Sequence, residues 1–277
     1  AVAFTDGRKA VADAAVMTKL LKYARMFDAL IVQHAEEPSL ATGVMNAGEL
    51  ATRLGLPANG IWAEVLMVDR DIRLVEATGG RLHFAQLSCA KAVESVRQAQ
   101  KRGLPVTCGV TPPYFALNEL AVGDYRTFAK VSPPLRAEED RMSIVEALRD
   151  GTISVIASGH DPQDPESKRQ PFEQAAFGAV GLETLLPVSL ELYHNGFLDL
   201  IDVVDKLTRQ PAELFGLEGG RLAPGAPADL VVFDPDAAIR IDAAKFRSKS
   251  KNTPFDERPC QGRVLRTVVA GRTVFEY

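Results

Sequence analysis

The stretch that decides the fold is EEDRMSIVEALRDGTISVIASGHD, residues 138–161. Its first half, residues 138–149, reads as a helix. Its second half contains ISVIA, residues 153–157, a continuous apolar and β-branched run. Such runs form strands buried on both faces of a parallel sheet. The run ends in Ser158-Gly159-His160-Asp161. In parallel α/β folds, functional groups collect at the C-terminal ends of strands. A helix feeding a buried strand with a polar end is one α/β repeat.

The same unit recurs toward the N-terminus. Strand-like runs fall at residues 2–4, 30–32, 81–87 and 104–110, with a less regular one at 128–131. Helical patterns fall at 14–27 and 90–101 before the opening stretch, and at 182–194 and 200–209 after it. This alternation argues for parallel βα units. A closed (β/α)₈ barrel needs eight strands. The sheet is therefore open, or the first strands of a barrel are absent from this chain. Near Gly216 the texture changes to short Val-rich runs split by Gly, Pro and Asp. The expectation is a partial barrel over 1–215 and a small β portion over 216–277. In the latter, VVAGRTV at 268–274 reads as a hairpin. No internal repeat and no long linker interrupt the 277 residues.

Composition narrows the class. Hydrophobic content of 46% and charged content of 25% exclude a disordered or collagen-like chain. No apolar run approaches the ~20 residues of a membrane span. The opening AVAFTDGRKA has no signal-peptide pattern, which is read as a cytoplasmic protein, and no initiator Met, which is read as a start inside a longer one. With 32 Lys and Arg against 36 Asp and Glu, the balance argues against a nucleic-acid footprint. Cys89, Cys108 and Cys260 form no CxxC pair and read as buried, reduced thiols.

The strand ends carry the candidate chemistry. They hold Thr5-Asp6, then Gln33-His34-Ala35-Glu36-Glu37, then His83 and Gln86, then Thr111-Pro112, and finally Ser158–Asp161. Asp and His at successive strand ends is the arrangement of hydrolases in which a metal acidifies a water. Each histidine also has a plain structural reading. His34 follows an apolar strand, His83 lies inside one, and His160 sits in a turn. His194, in Tyr-His-Asn-Gly, belongs to a helix C-cap. Spacing leaves the metal site and the structural reading both open.

Longer strings carry the matter further. Residues 33–40 (QHAEEPSL), 44–48 (VMNAG), 132–136 (SPPLR), 177–184 (FGAVGLET), 219–230 (GGRLAPGAPADL), 251–255 (KNTPF) and 261–262 (QG) resemble segments of the dihydroorotases, in the amidohydrolase superfamily. The resemblance covers essentially the whole chain and is closest at 177–184. It implies a (β/α)₈ barrel with a small β-sandwich built from both chain ends. It places the first barrel strands, with the family's His-x-His metal pair, upstream of Ala1. It implies zinc as the family's metal, with Asp6 and His34 at ligand positions, and Ser132, Gln163, Phe177 and Gly178 at substrate-contacting positions.

Within that resemblance the reacting groups are depleted. One Asp is missing beside Asp6. The family's His-x-x-His, whose second His is a ligand, is His83-Phe84-Ala85-Gln86 here. Its Thr-Pro-His-His is Thr111-Pro112-Pro113-Tyr114. Its Thr-Asp-His-Ala-Pro-His, where Asp is the general base, is Ser158-Gly159-His160-Asp161-Pro162-Gln163. Glycine cannot accept a proton, and Asp161 two residues on is a weak substitute. Loss of a general base costs ~10²–10⁴-fold. Two readings follow. One is an active metal-dependent dihydroorotase or related cyclic amidohydrolase of pyrimidine biosynthesis, working through a rearranged site. The other is an impaired or dead homologue, with zinc absent or weakly bound, kept as a scaffold for aspartate carbamoyltransferase. The depletion favours the second. For assembly, a homodimer and an idle monomer stay open beside that complex; nucleic acid and membrane are not expected.

Overall fold

The computed structural model describes all of residues 1–277. The chain opens with β1 (Ala3–Thr5), α1 (Ala14–Arg25), β2 (Leu30–Gln33), β3 (Met45–Asn46), α2 (Glu49–Leu54), β4 (Ala58–Asn59) and α3 (Trp62–Thr78). It continues through β5 (Arg81–Phe84), α4 (Ala90–Lys101), β6 (Val106–Val110), α5 (Pro112–Ala116), α6 (Glu138–Arg149), β7 (Val155–Ile156) and α7 (Pro165–Lys168). Then come α8 (Leu185–His194), α9 (Leu200–Leu207), α10 (Arg209–Phe215), β8 (Leu230–Arg240), β9 (Pro259–Val269) and β10 (Arg272–Glu276).

Five strands form one parallel sheet in the order β1-β2-β5-β6-β7. Helices α1, α3, α4 and α6 pack side by side along it. The sheet supplies five of the eight staves of a barrel and is open between β1 and β7. Local chemistry explains the helices. Asp13 caps α1 by accepting from the Ala15 and Val16 amides at 2.7 and 2.9 Å. In α6, Glu138, Glu139 and Asp140 lie at the positive end and Arg149 at the negative end. Its buried Ile144, Val145, Ala147 and Leu148 face the sheet. One continuous core takes in these helices, the strands, and Ile241, Phe255 and Cys260 near the C-terminus.

The elements at 90–101 and 138–149 match the pattern read from sequence, and the others differ by a few residues at their ends. Residues 128–131 are not a strand. Thr127–Ala129 makes one 3₁₀ turn, Lys130 is drawn inward to the Phe172 and Glu173 carbonyls at 2.8 and 2.9 Å, and Pro133-Pro134 then offers no amide to a ladder. The helix at 200–209 breaks at Thr208, whose backbone leaves the helical region, and resumes as α10. Helix α3, the longest, was not anticipated. Its apolar Val65, Val68, Ile72 and Val75 have helical spacing, but Glu64 and Asp71 on the same buried side mask the pattern.

The second sheet is antiparallel, in the order β10-β9-β8. The expected hairpin joins β9 to β10 through Ala270 and Gly271, both with positive φ (48° and 75°), as a two-residue turn of this hand requires. The sheet docks on α8 where Gly262 stands; a Cβ there would lie 2.3 Å from the Leu190 side chain. His194, at the end of α8, bonds the Pro235 carbonyl at 3.0 Å and does no more than tie helix to sheet. All three cysteines are free and buried; burial pushes the Cys108 thiol up to about 12. No helix is long and apolar enough to cross a membrane.

Candidate functional site

The C-terminal ends of the five parallel strands meet around a cavity of about 240 Å³. Its wall includes Arg8, His34, Gln86, Ser132, Gly159 and Asp161. Beside the main core, β3, β4 and α2 form a separate small layer with a cluster around Met45 and Phe172.

His34 follows β2 and is buried. Its Nε2 lies 3.0 Å from Glu36 Oε2 and 3.2 Å from Ser132 Oγ. Ser132 Oγ also donates to Glu36 Oε2, and Asn59 Nδ2 donates to Glu36 Oε1 at 3.0 Å. Burial works against the Glu36 charge, but these hydrogen bonds outweigh it and hold the carboxyl below its ordinary range. An ionised carboxylate only accepts, so His34 carries its proton on Nε2. In a nucleophilic triad the hydroxyl and the acid sit on opposite ring nitrogens. Here both meet Nε2 and the serine proton goes to the acid, so this is a structural cluster and not a nucleophile.

The neighbouring positions are also committed. Gln86 Nε2 donates to the Ser132 carbonyl at 2.6 Å and to Tyr114 Oη at 3.4 Å. Arg136, almost fully buried, ties this loop down: Nε donates to Ser88 Oγ at 3.1 Å and Nη1 to Asn46 Oδ1 at 3.1 Å and to the Asn59 carbonyl at 2.6 Å. Ser88 in turn caps the buried Glu64, whose carboxyl burial pushes up. His83 faces away from this chemistry. It is buried, bonds Thr107 Oγ1 at 2.8 Å, and is held neutral, its pKa pushed down to about 4 by burial.

Gly159 stands at the end of β7 with φ +57°. A Cβ there would lie 2.8 Å from Thr111 Cγ2 and 2.9 Å from Thr111 Cβ. Asp161 is not free to replace a base. Its carboxylate meets Arg8 Nη1 at 2.8 and 3.0 Å and accepts from Gln163 Nε2 at 2.8 Å. It fits only because residue 178 is glycine, where a Cβ would lie 2.2 Å from Asp161 Oδ2. Gly181 packs under the same turn, with a would-be Cβ 2.0 Å from the Ser158 carbonyl oxygen. Asn252 Nδ2 donates to the Gly178 carbonyl at 3.1 Å, and its backbone carbonyl accepts from the Val180 amide at 3.1 Å. The segments 177–184 and 251–255 thus clamp the turn after β7.

Of the residues singled out from sequence, the fold gathers His34, Gln86, Ser132, Gly159, Asp161 and Gly178 at the cavity. Asp6 is exposed at the end of β1 and does not line it. Gln163 stands behind Asp161, and Phe177 lies under Lys130 Nζ, 4.5 Å from the ring centroid. Arg8 was missed. Its only signal was a positive charge in the turn after β1, whose partner is 153 residues away.

The model of the amidohydrolase family matches residues 3–274, and the chain belongs to that family. Among curated proteins it is similar to the dihydroorotase of Anaplasma phagocytophilum (strain HZ), with 48% identity over 277 residues, covering 99% of this chain and 62% of that protein. It is also similar to the dihydroorotase of Desulforapulum autotrophicum, with 45% identity over 276 residues, covering 99% and 65%. Both relatives are named dihydroorotase. Among solved structures, the dihydropyrimidinase of Brevibacillus agri NCHU1002 superposes with a TM-score of 0.86 at 25% identity, covering 98% of this chain and 62% of that one. The L-hydantoinase of Arthrobacter aurescens gives 0.86 at 28% identity, covering 99% and 63%. The chain therefore spans slightly less than two thirds of the relatives it matches.

The family is generally metal-dependent. Zinc takes imidazole, thiolate or carboxylate, four donors in a structural site or three plus water in a catalytic one. No three His, Cys, Asp or Glu side chains of this chain group to hold a metal. The inward nitrogen of His34 carries a proton, Gln86 presents an amide nitrogen that donates, and Asp161 is neutralised by a guanidinium. These residues do not fit a zinc ion.

Proposed function

We propose that this chain is a dihydroorotase-like amidohydrolase whose hydrolytic site is impaired, that it binds zinc weakly or not at all, and that it serves as a scaffold for aspartate carbamoyltransferase. One observation carries the loss of catalysis: the general-base position is Gly159, and the space a side chain would need is filled by Thr111. The retained groups support the scaffold half of the reading. Segments 177–184 and 251–255 keep the family pattern and hold the walls of the site, while the reacting groups between them have changed. What persists is shape.

A second reading has its own support, since the relatives at 45–48% identity are named dihydroorotase. It is an active enzyme opening the cyclic amide of dihydroorotate. The two are separated by assaying the purified protein, with and without added zinc, for hydrolysis of dihydroorotate. The impaired reading expects no turnover above background in either condition; zinc-dependent turnover would reverse it. For the scaffold, size-exclusion of this protein mixed with aspartate carbamoyltransferase at micromolar concentration is decisive. A specific interface of roughly 1,200–2,000 Å² survives that dilution, so a joint earlier-eluting peak is expected. Two unshifted peaks end the proposal in favour of an idle monomer or homodimer.

A further inference from the structure

We propose that residues 165–178 form a strap at the cavity wall, fastened by two buried ammonium groups, Lys130 and Lys168, and that the strap opens as a unit with uptake of a proton. The device is separate from the chemistry of the site and holds for an active or an impaired one.

The fastening is reciprocal. Lys130, in the loop before α6, sends its Nζ to the Phe172 and Glu173 carbonyls of the strap at 2.8 and 2.9 Å. Lys168, at the end of α7 in the strap, sends its Nζ back to the Thr127 and Lys130 carbonyls at 3.0 and 3.4 Å, and to the Ala176 carbonyl at 2.7 Å. Both residues are 2% exposed. Every hydrogen bond from either ammonium goes to a main-chain carbonyl. A buried charge is ordinarily paired with an opposite one; here two like charges share one knot. Burial pushes the Lys168 ammonium down to about 8; Lys130 and Arg8 also push its proton off, while Asp161 holds it on. Burial acts on Lys130 in the same direction, and Glu173 opposes it there.

The strap is built to move in one piece. Inside it, the Gln174 and Ala175 amides donate to the Pro171 carbonyl at 2.9 Å, and the Ala176 amide to the Ser167 carbonyl at 3.1 Å. Its one large buried apolar side chain, Phe172, belongs to the six-residue cluster around Met45 and not to the main core. Opening therefore leaves that core intact. Gly178, where the strap ends, covers Asp161 and shares the cavity wall with Val131 and Ser132 from the other side of the fastening. Opening uncovers the cavity here and returns both ammonium groups to water, where lysine titrates near ~10.4. Between pH 8 and ~10.4 the open form holds a proton that Lys168 has lost in the closed form. The opening constant then falls at least about tenfold per pH unit, and below that window it levels off.

The test is trace labelling of the chain with acetic anhydride, read lysine by lysine by peptide mass spectrometry, with exposed Lys101 as reference. The strap predicts matching rates at Lys130 and Lys168. Those rates should stay flat in urea well below the unfolding transition, because a local opening exposes little surface. Relative to Lys101, the Lys168 rate should fall at least about tenfold per unit from pH ~8 to ~10. Thr127→Val removes the hydroxyl that donates to the Lys168 carbonyl at 2.6 Å. It should speed both lysines about two- to tenfold, the worth of one hydrogen bond. Thr127→Ser keeps the hydroxyl and should label as the parent, and a flat urea profile in either variant shows that it is folded. Rates that climb with urea along the slope of global unfolding overturn the strap. So do unequal rates at the two lysines, or Thr127→Val labelling as the parent. A Lys168 rate that keeps pace with Lys101 above pH 8 overturns the proton uptake and with it the proposal.

Discussion

Restoring a carboxylate at the general-base position is the most informative perturbation. Gly159→Asp returns the missing group, yet the structure opposes it twice. The backbone at 159 has φ +57°, a region that costs a residue with a Cβ ~1–2 kcal/mol, with Asp at the tolerant end. The new Cβ would also sit 2.8 Å from Thr111 Cγ2, and pushing a packed side chain aside costs about 1–3 kcal/mol. The variant should be destabilised by about 2–4 kcal/mol. Urea denaturation reads this as a lower midpoint at unchanged slope. Thr111→Ser removes the nearest atom, so the double variant should regain roughly 1 kcal/mol as a coupling between neighbours. Hydrolysis of dihydroorotate should stay at background, because Gln86 and the protonated nitrogen of His34 still provide no activated water. A single variant as stable as its parent to within about 0.5 kcal/mol would refute the packing argument. Turnover by that variant would refute the chemical one.

Three further outcomes are expected. After dialysis, metal analysis should find well under one equivalent of zinc; a full equivalent would mean that the donors rearrange. Arg136→Met should cost about 3–5 kcal/mol, because it strips a buried guanidinium from Ser88, Asn46 and Asn59 beside the Glu64 carboxyl; a loss under about 1 kcal/mol would show the network to be incidental. Burial pushes the Lys168 ammonium down to about 8 in the folded protein, so between pH 8 and ~10.4 the unfolded chain binds more protons and stability should rise with pH. Lys168→Met should flatten that rise relative to the parent, and parallel pH profiles would sink the assignment.

Much of this protein was legible in its sequence because the signals are local. Runs such as 153–157 bury themselves on both faces and announce a parallel strand. The helix at 138–149 carries its apolar face and its terminal charges within a dozen residues. The strings at 177–184 and 251–255 carry the family resemblance, and the glycine at 159 stands where that resemblance expects a general base. Helix α3 was hidden because buried Glu64 and Asp71 are satisfied by Ser88 and by Gln33 and Arg70, residues that periodicity cannot see. The strand at 128–131 failed because Lys130 found carbonyl partners more than 40 residues away.

The state of the site was decided only by tertiary structure. Sequence left His34 as ligand or structural residue, His83 facing either way, and Asp161 as a substitute base. Each answer depended on a partner distant in the chain: Ser132 for His34, Thr107 for His83, and Arg8 for Asp161. A side chain's protonation and freedom to react are set by the groups within a few ångströms of it. In a parallel sheet those groups come from the ends of different strands, so sequence could name the candidates and only the fold could say which were already taken.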